Sequence, residues 1–352
     1  MSTPPPRRRV LILSVGGIMT ALPQDNGVLL SGEFNKARVL KAIPDIETFA
    51  RIEVIQLMQA DSANSQPADW LKIIRAIHEN ITGYDGIVLL HGMDTMAFTA
   101  AALSLALRRL PIPIVVTGST TPLEYVSSDA KRNLSDAVHV ASEADLAEVC
   151  VVNDGRILRG NRIKKVTEMD YTNFETSIEP LGNVRQKVSL NRTTNYAGRS
   201  KARLIYQPKF NPHILTQLVY PGYDSALFRQ IIERQPDGIL LIGYGKGGVA
   251  SIGRHSLIPH IKAYTDTGKP LVIATQVVFG QCWMGINDAS QKALEAGAIC
   301  AYDMTYETAI VKLMWVLAQT QRRADVMHMM QSNYAGEIEP PIMDGADDYF
   351  SA

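Results

Sequence analysis

The chain has 352 residues in which 35 Lys and Arg balance 35 Asp and Glu, so no net charge marks it for nucleic acid, a membrane surface or an acidic partner. Its 3 cysteines, Cys150, Cys282 and Cys300, are too few and too scattered for a disulfide framework and lack metal-ligand spacing. The length exceeds what one core usually covers, and no run approaches the roughly 20 apolar residues of a spanning helix.

In chain order, Met1-Ser-Thr-Pro-Pro-Pro-Arg-Arg-Arg9 reads as a flexible, solvated N-terminal tail over residues 1–9. It holds no apolar stretch of signal-peptide length and no small-residue cleavage site, which predicts a reducing, cytoplasmic location. Apolar runs predict strands at 10–15, 52–57, Gly86–Leu90, Ile114–Thr117 and 149–152. Helical stretches over 35–42, Pro67–Asn80, 95–109 and 129–142 alternate with them. That alternation predicts an α/β fold with a doubly wound, mainly parallel sheet. From about 183 to 209 the pattern gives way to a polar stretch, and a second βα series begins at 213–220, with further strands at 238–242 and 271–274. The domains are therefore expected at 10–208 and 209–332, followed by an extended C-terminal tail, 333–352.

Ligands of open α/β sheets gather where the strands end. After Leu90 comes His91-Gly-Met-Asp-Thr-Met, with Asp94 between strand and helix, as a helix cap or a ligand-facing carboxylate. Asp61 and Ser62 follow the second strand and either bend the loop or hold the charged end of a ligand. Thr117, Ser119, Thr120 and Thr121 form a hydroxyl-rich loop that turns before Pro122 or faces a ligand. Gly243-Tyr-Gly-Lys-Gly-Gly248 permits a tight turn and presents Lys246, but lacks the order of a nucleotide-binding loop.

His91-Gly-Met-Asp-Thr-Met resembles a segment that L-asparaginases usually spell His-Gly-Thr-Asp-Thr-Met, and further blocks follow in register. Val10-Leu-Ile-Leu-Ser-Val-Gly-Gly-Ile18 is similar to that family's first strand and Gly-Gly-Thr loop. Pro113-Ile-Val-Val-Thr-Gly118 with Asp129-Ala-Lys-Arg-Asn-Leu134 resembles a third block, and Glu148-Val-Cys-Val-Val with Leu158-Arg-Gly-Asn-Arg-Ile-Lys-Lys165 a fourth. Glu295-Ala-Gly-Ala-Ile-Cys-Ala-Tyr-Asp-Met-Thr305 through Trp315 matches the C-terminal block of the type I, cytoplasmic bacterial branch. The resemblance covers about residues 10–316. It implies an asparaginase-like fold, with a larger N-terminal and a smaller C-terminal α/β domain, a small-molecule substrate, no cofactor and a homodimer or homotetramer.

Carried over by position, the family's catalytic lysine is Lys165, the aspartate of its relay Asp94, and its substrate-holding serine Ser62, preceded by Asp61. Gly17 belongs to the nucleophile loop, and Lys246 to a glycine-rich loop that in the family reaches a neighbouring subunit. The two expected threonines fall on Ile18 and Met93, and neither side chain can form an ester. Thr20, two residues on, either replaces the nucleophile or bonds the backbone. The expectation is thus a divergent enzyme acting on a C–N amide-type bond of a small amino-acid-like substrate, with Lys165 as base and weak or no ordinary L-asparaginase activity. The alternatives are a biosynthetic enzyme catalysing a rearrangement, cyclisation or elimination in the same pocket, and an inactive amino-acid-binding homologue.

Overall fold

The computed structural model describes residues 7–339. The chain divides into two compact units, Met1–Pro212 and His213–Ala352.

The first unit is built on an eight-stranded sheet, whose order in space is Val188–Leu190, Gly182–Val184, Arg156–Arg159, Val149–Asn153, Ile114–Thr117, Gly86–Leu90, Arg9–Gly16, Arg51–Ala60. The last five of these pair in parallel, and the first three close one edge antiparallel. Numbered along the chain, the parallel strands run 2-1-3-4-5, so the winding reverses between Arg9–Gly16 and Gly86–Leu90. Ligands of such sheets bind outside that switch point. The loops emerging there carry Gly16-Gly17-Ile18 and His91-Gly92-Met93-Asp94.

The strands are apolar because both faces are covered; Gly86–Leu90 is buried throughout. Helix Pro67–Asn80 buries Trp70, Ile73, Ile74 and Ile77, a stripe at helical spacing, and starts at a Gln66/Asp69 capping box with a proline in its first turn. Helix Met96–Ala106 buries every residue except Phe98, which suits its run of alanines. The expected continuation to Arg109 fails because Leu107–Arg108 leaves the helix to pair with Ile205–Tyr206, and Arg109 turns at φ 54°.

Arg9 opens the first strand, and Arg8 and Arg9 pair with Asp85 and Glu53 at 2.8 and 2.9 Å. These two arginines are anchored to the unit rather than trailing in solvent as part of a tail, since each meets a carboxylate at the sheet's N-terminal end. Within the polar stretch after 183, short strands form at the sheet edge, where pairing rather than apolar patterning holds them.

The second unit has four parallel strands in chain order, Ile214–Leu218, Gly238–Gly243, Leu271–Thr275 and Ile299–Cys300. Helix Tyr306–Leu317 carries Lys312, which meets Glu337 at 2.6 Å with both side chains fully buried. Residues 333–339, expected as extended tail, are therefore fastened to this unit's core; the rest of that tail lies outside the described residues.

Candidate active site

Two glycines bring the switch-point loops together. Gly16 and Gly17 adopt φ of 115° and 84°, a region glycine enters without strain. A Cβ on Gly17 would lie 2.6 Å from the Gly92 nitrogen, so the two backbones touch where no side chain fits. Gly17 N–H donates to Ala60 O at 3.0 Å and to Ser31 Oγ at 3.1 Å. The following residues, Ile18 and Met93, consequently enter one cleft of about 590 Å³. Asp61, Ser62, Asp94, Ser119, Thr120, Lys165 and Glu168 also line it, as do Leu29 and Leu30 of the hairpin formed by Ala21–Pro23 and Leu29–Ser31.

Lys165 ends the strand Ile163–Lys165, which pairs with Phe174–Thr176. Its Nζ donates to Asp94 Oδ1 at 2.5 Å and to Glu168 Oε1 at 2.7 Å. The helix after Asp94 has Thr95 at its N-cap position, and the Asp94 carboxylate is engaged by Lys165. The pair is only partly buried: the Asp94 side chain is 56% exposed and that of Lys165 21%. Partial burial works against the Lys165 charge, but the hydrogen bonds and charges of Asp94 and Glu168 outweigh it and hold the pKa above the ordinary lysine value. In this arrangement Lys165, the expected base, lies between two carboxylates. At neutral pH it is a cation, equipped to stabilise negative charge.

The hydroxyls near the cleft are mostly committed. Thr20 is fully buried, its Oγ1 donates to Gly17 O at 3.0 Å, and it does not line the cleft. Of its two sequence readings, the structure has the backbone-bonding one. Thr117 is likewise buried and donates to Val152 O at 2.8 Å, holding adjacent strands together instead of lining the cleft. Ser119 donates to Thr121 O at 2.6 Å, and Thr120 to Asp129 Oδ1 at 3.1 Å. The Ser62 hydroxyl makes no hydrogen bond among the described residues, although the residue is only 5% exposed. Asp61 accepts from Ala63 N–H at 3.0 Å and lines the cleft beside it. Lys246 belongs to the second unit, where its ammonium lies 6.0 Å from the Trp283 ring centroid.

Sequence reading missed three contributors. Glu168 shares Lys165 with Asp94, and its spacing of three residues from Lys165 was the available signal. Asp129, buried beneath the hydroxyl-rich loop, accepts from the backbone and hydroxyls of Thr120 and Thr121. His91 is buried with Nδ1 2.7 Å from Gly92 O and Nε2 2.9 Å from Thr99 Oγ1. Burial pushes its pKa down against the opposing Gly92 hydrogen bond, which favours the neutral ring as a brace for the Gly92 loop.

Residues 9–196 match the family model described as "Asparaginase, N-terminal", and residues 214–330 match "Glutaminase/Asparaginase C-terminal domain". The chain belongs to the asparaginase family. It is 34% identical to an L-asparaginase of Thermococcus kodakarensis over 331 residues, covering 94% of this chain and 99% of that one. It is 35% identical to a subunit of the glutamyl-tRNA(Gln) amidotransferase of Aeropyrum pernix, covering 95% and 80%. Among solved structures, the thermostable L-asparaginase from Thermococcus kodakarensis superposes with a TM-score of 0.87 at 33% identity, covering 94% of this chain and 99% of that one. L-asparaginase I from Vibrio cholerae superposes with a TM-score of 0.85 at 29% identity, covering 95% and 99%. The asparaginase-like fold, with a larger N-terminal and a smaller C-terminal α/β part, is that of the family. Among the described residues no helix is long and apolar enough to cross a membrane.

Proposed function

We propose that this family member cleaves a C–N amide-type bond of a small amino-acid-like substrate without a threonine nucleophile and has little ordinary L-asparaginase activity. The observation that carries this reading is the presence of Ile18 and Met93 in the cleft that also holds Asp94, Lys165 and Glu168. No hydroxyl of the cleft is hydrogen-bonded to any of those three groups among the described residues, so the nucleophile and base contact of an acyl-enzyme mechanism is missing.

Water then attacks directly. A carboxylate of the Asp94 and Glu168 pair takes its proton, and the Lys165 ammonium faces the oxygen that becomes negative; the proton passes to the leaving nitrogen as the C–N bond breaks. Asp61 and the uncommitted Ser62 hydroxyl hold the substrate's polar end. Three buried free thiols, Cys150, Cys282 and Cys300, support the cytoplasmic placement that goes with this reading, and assembly as a homodimer or homotetramer is proposed on the resemblance alone.

The test is a panel of amino-acid amides incubated in ¹⁸O-labelled water and followed by mass spectrometry. The expected product is a carboxylate bearing one labelled oxygen, with turnover lost in Lys165→Met and Asp94→Asn. Solvent deuterium entering the carbon skeleton would replace this reading with a rearrangement or elimination, and binding without any product would replace it with a binding protein.

A further inference from the structure

The cleft is chemically two-sided. Ile18, Leu29, Leu30 and Met93 give it an apolar wall, and Leu30 stays 54% exposed on the hairpin. Exposed apolar side chains flanking a concave site mark ligand-binding surface. Opposite in character are three carboxylates of the lining, Asp61, Asp94 and Glu168, the last two of which pair with the ammonium of Lys165. Three acids against one base leave an excess of two acidic groups, which Coulomb attraction matches best with a cation. Ser62, a residue only 5% exposed whose hydroxyl has no hydrogen bond among the described residues, adds an unused hydrogen-bonding group to the same lining.

We infer that the cleft selects, among ligands with a free ammonium group, those that carry an apolar substituent, in preference to the short, fully polar side chain of asparagine. The ammonium is received among the carboxylates, and the apolar substituent lies against Ile18, Leu30 and Met93. Both threonine positions of the family have thus become binding surface. This inference rests on the proposed function for the location of the site, but concerns which molecules the site accepts and not what it does to them.

The experiment is titration calorimetry of the intact protein with four probes: L-leucinamide, glycinamide, N-acetyl-L-leucinamide and L-asparagine. L-leucinamide carries both recognised features, glycinamide lacks the apolar group, and the acetylated amide lacks the ammonium. L-leucinamide is expected to bind at least about tenfold more tightly than each of the others, since even one methylene in an apolar pocket is worth about 10–200-fold. Leu30→Ser, at an exposed position that leaves folding intact, narrows the gap between L-leucinamide and glycinamide. Glu168→Gln narrows the gap between L-leucinamide and its acetylated form. Equal binding of glycinamide, or of the acetylated amide, overturns the inference. L-leucinamide that binds as expected but is never hydrolysed supports the inference and removes the hydrolytic reading, whereas labelled carboxylate formed with no preference for apolar amides does the reverse.

Discussion

Lys165 and Asp94 meet at 2.5 Å across the mouth of the cleft, and Glu168 shares the same ammonium at 2.7 Å. Two carboxylates on one lysine define its charge state. Because the folded pKa lies above the usual lysine value, the cation persists at neutral pH and is lost only as pH rises through that elevated value. Turnover of any substrate found is therefore expected to hold its Lys165-dependent plateau through about pH 10, near the ordinary lysine value. A pH profile with a Lys165-dependent fall well below that range contradicts the assignment. Glu168→Gln moves the alkaline limb to lower pH, a shift that a merely structural role for Glu168 does not produce.

Thr20→Val separates the two readings of the first loop. The hydroxyl is buried and bonded to Gly17 O, which also accepts from the Thr20 N–H, so its loss removes one of two hydrogen bonds to that carbonyl and costs about 0.5–1.5 kcal/mol. Chemical denaturation is expected to show that loss, while turnover of the folded variant stays within about twofold, a change worth roughly 0.4 kcal/mol. Abolished turnover in a stable Thr20→Val protein reinstates Thr20 as a nucleophile.

Much of this arrangement was legible in the residues. The apolar runs ending at Leu90 and Thr117 give parallel strands, and Gly16-Gly17 at a strand end marks a tight loop. The motif blocks place Ile18, Met93, Asp94 and Lys165, all of which do line one cleft. What the residues did not disclose depends on contacts between distant segments. The hairpin Ala21–Pro23 with Leu29–Ser31 has only three residues per strand and no clear alternation, so its pairing carries the signal, not its composition. The Lys165 charge state depends on Glu168 turning back towards it beyond the strand end. Cys282 and Cys300, apparently scattered, lie with their sulfurs 3.2 Å apart because the last strand returns beside the loop that holds Cys282.

Gly17→Ala strikes the contact between the two loops. Its φ of 84° disfavours any side chain, and the added Cβ would collide with Gly92. The variant is expected to lose more than about 1 kcal/mol of stability, the scale at which an incompatible backbone replacement outweighs its entropic benefit. Thermal melting checks this, and an unchanged midpoint would mean that the loops do not touch.

In the second unit, Lys312→Met leaves the fully buried Glu337 carboxylate without its counter-charge, held by the N–H groups of Tyr334 and Ala335, and breaking such a pair costs about 3–5 kcal/mol. Lys312→Met with Glu337→Leu is expected to recover part of that loss, since no buried charge then remains. Denaturant titration of both variants reads the difference. A double variant less stable than the single one contradicts this reading of the pair.

The most direct test of the central claim is ammonia release from L-asparagine by the protein and by Ile18→Thr, Met93→Thr and the double variant. If the cleft descends from a threonine-dependent design, nucleophile and relay act as a unit, so each single change does little and the pair gives more than either alone. Asp94 and Lys165 already line the cleft that the restored hydroxyls would enter. Negligible release by the unaltered chain and partial recovery in the double variant are the predicted results. Release by the unaltered chain as fast as by the double variant, or a folded double variant with no gain, contradicts the claim.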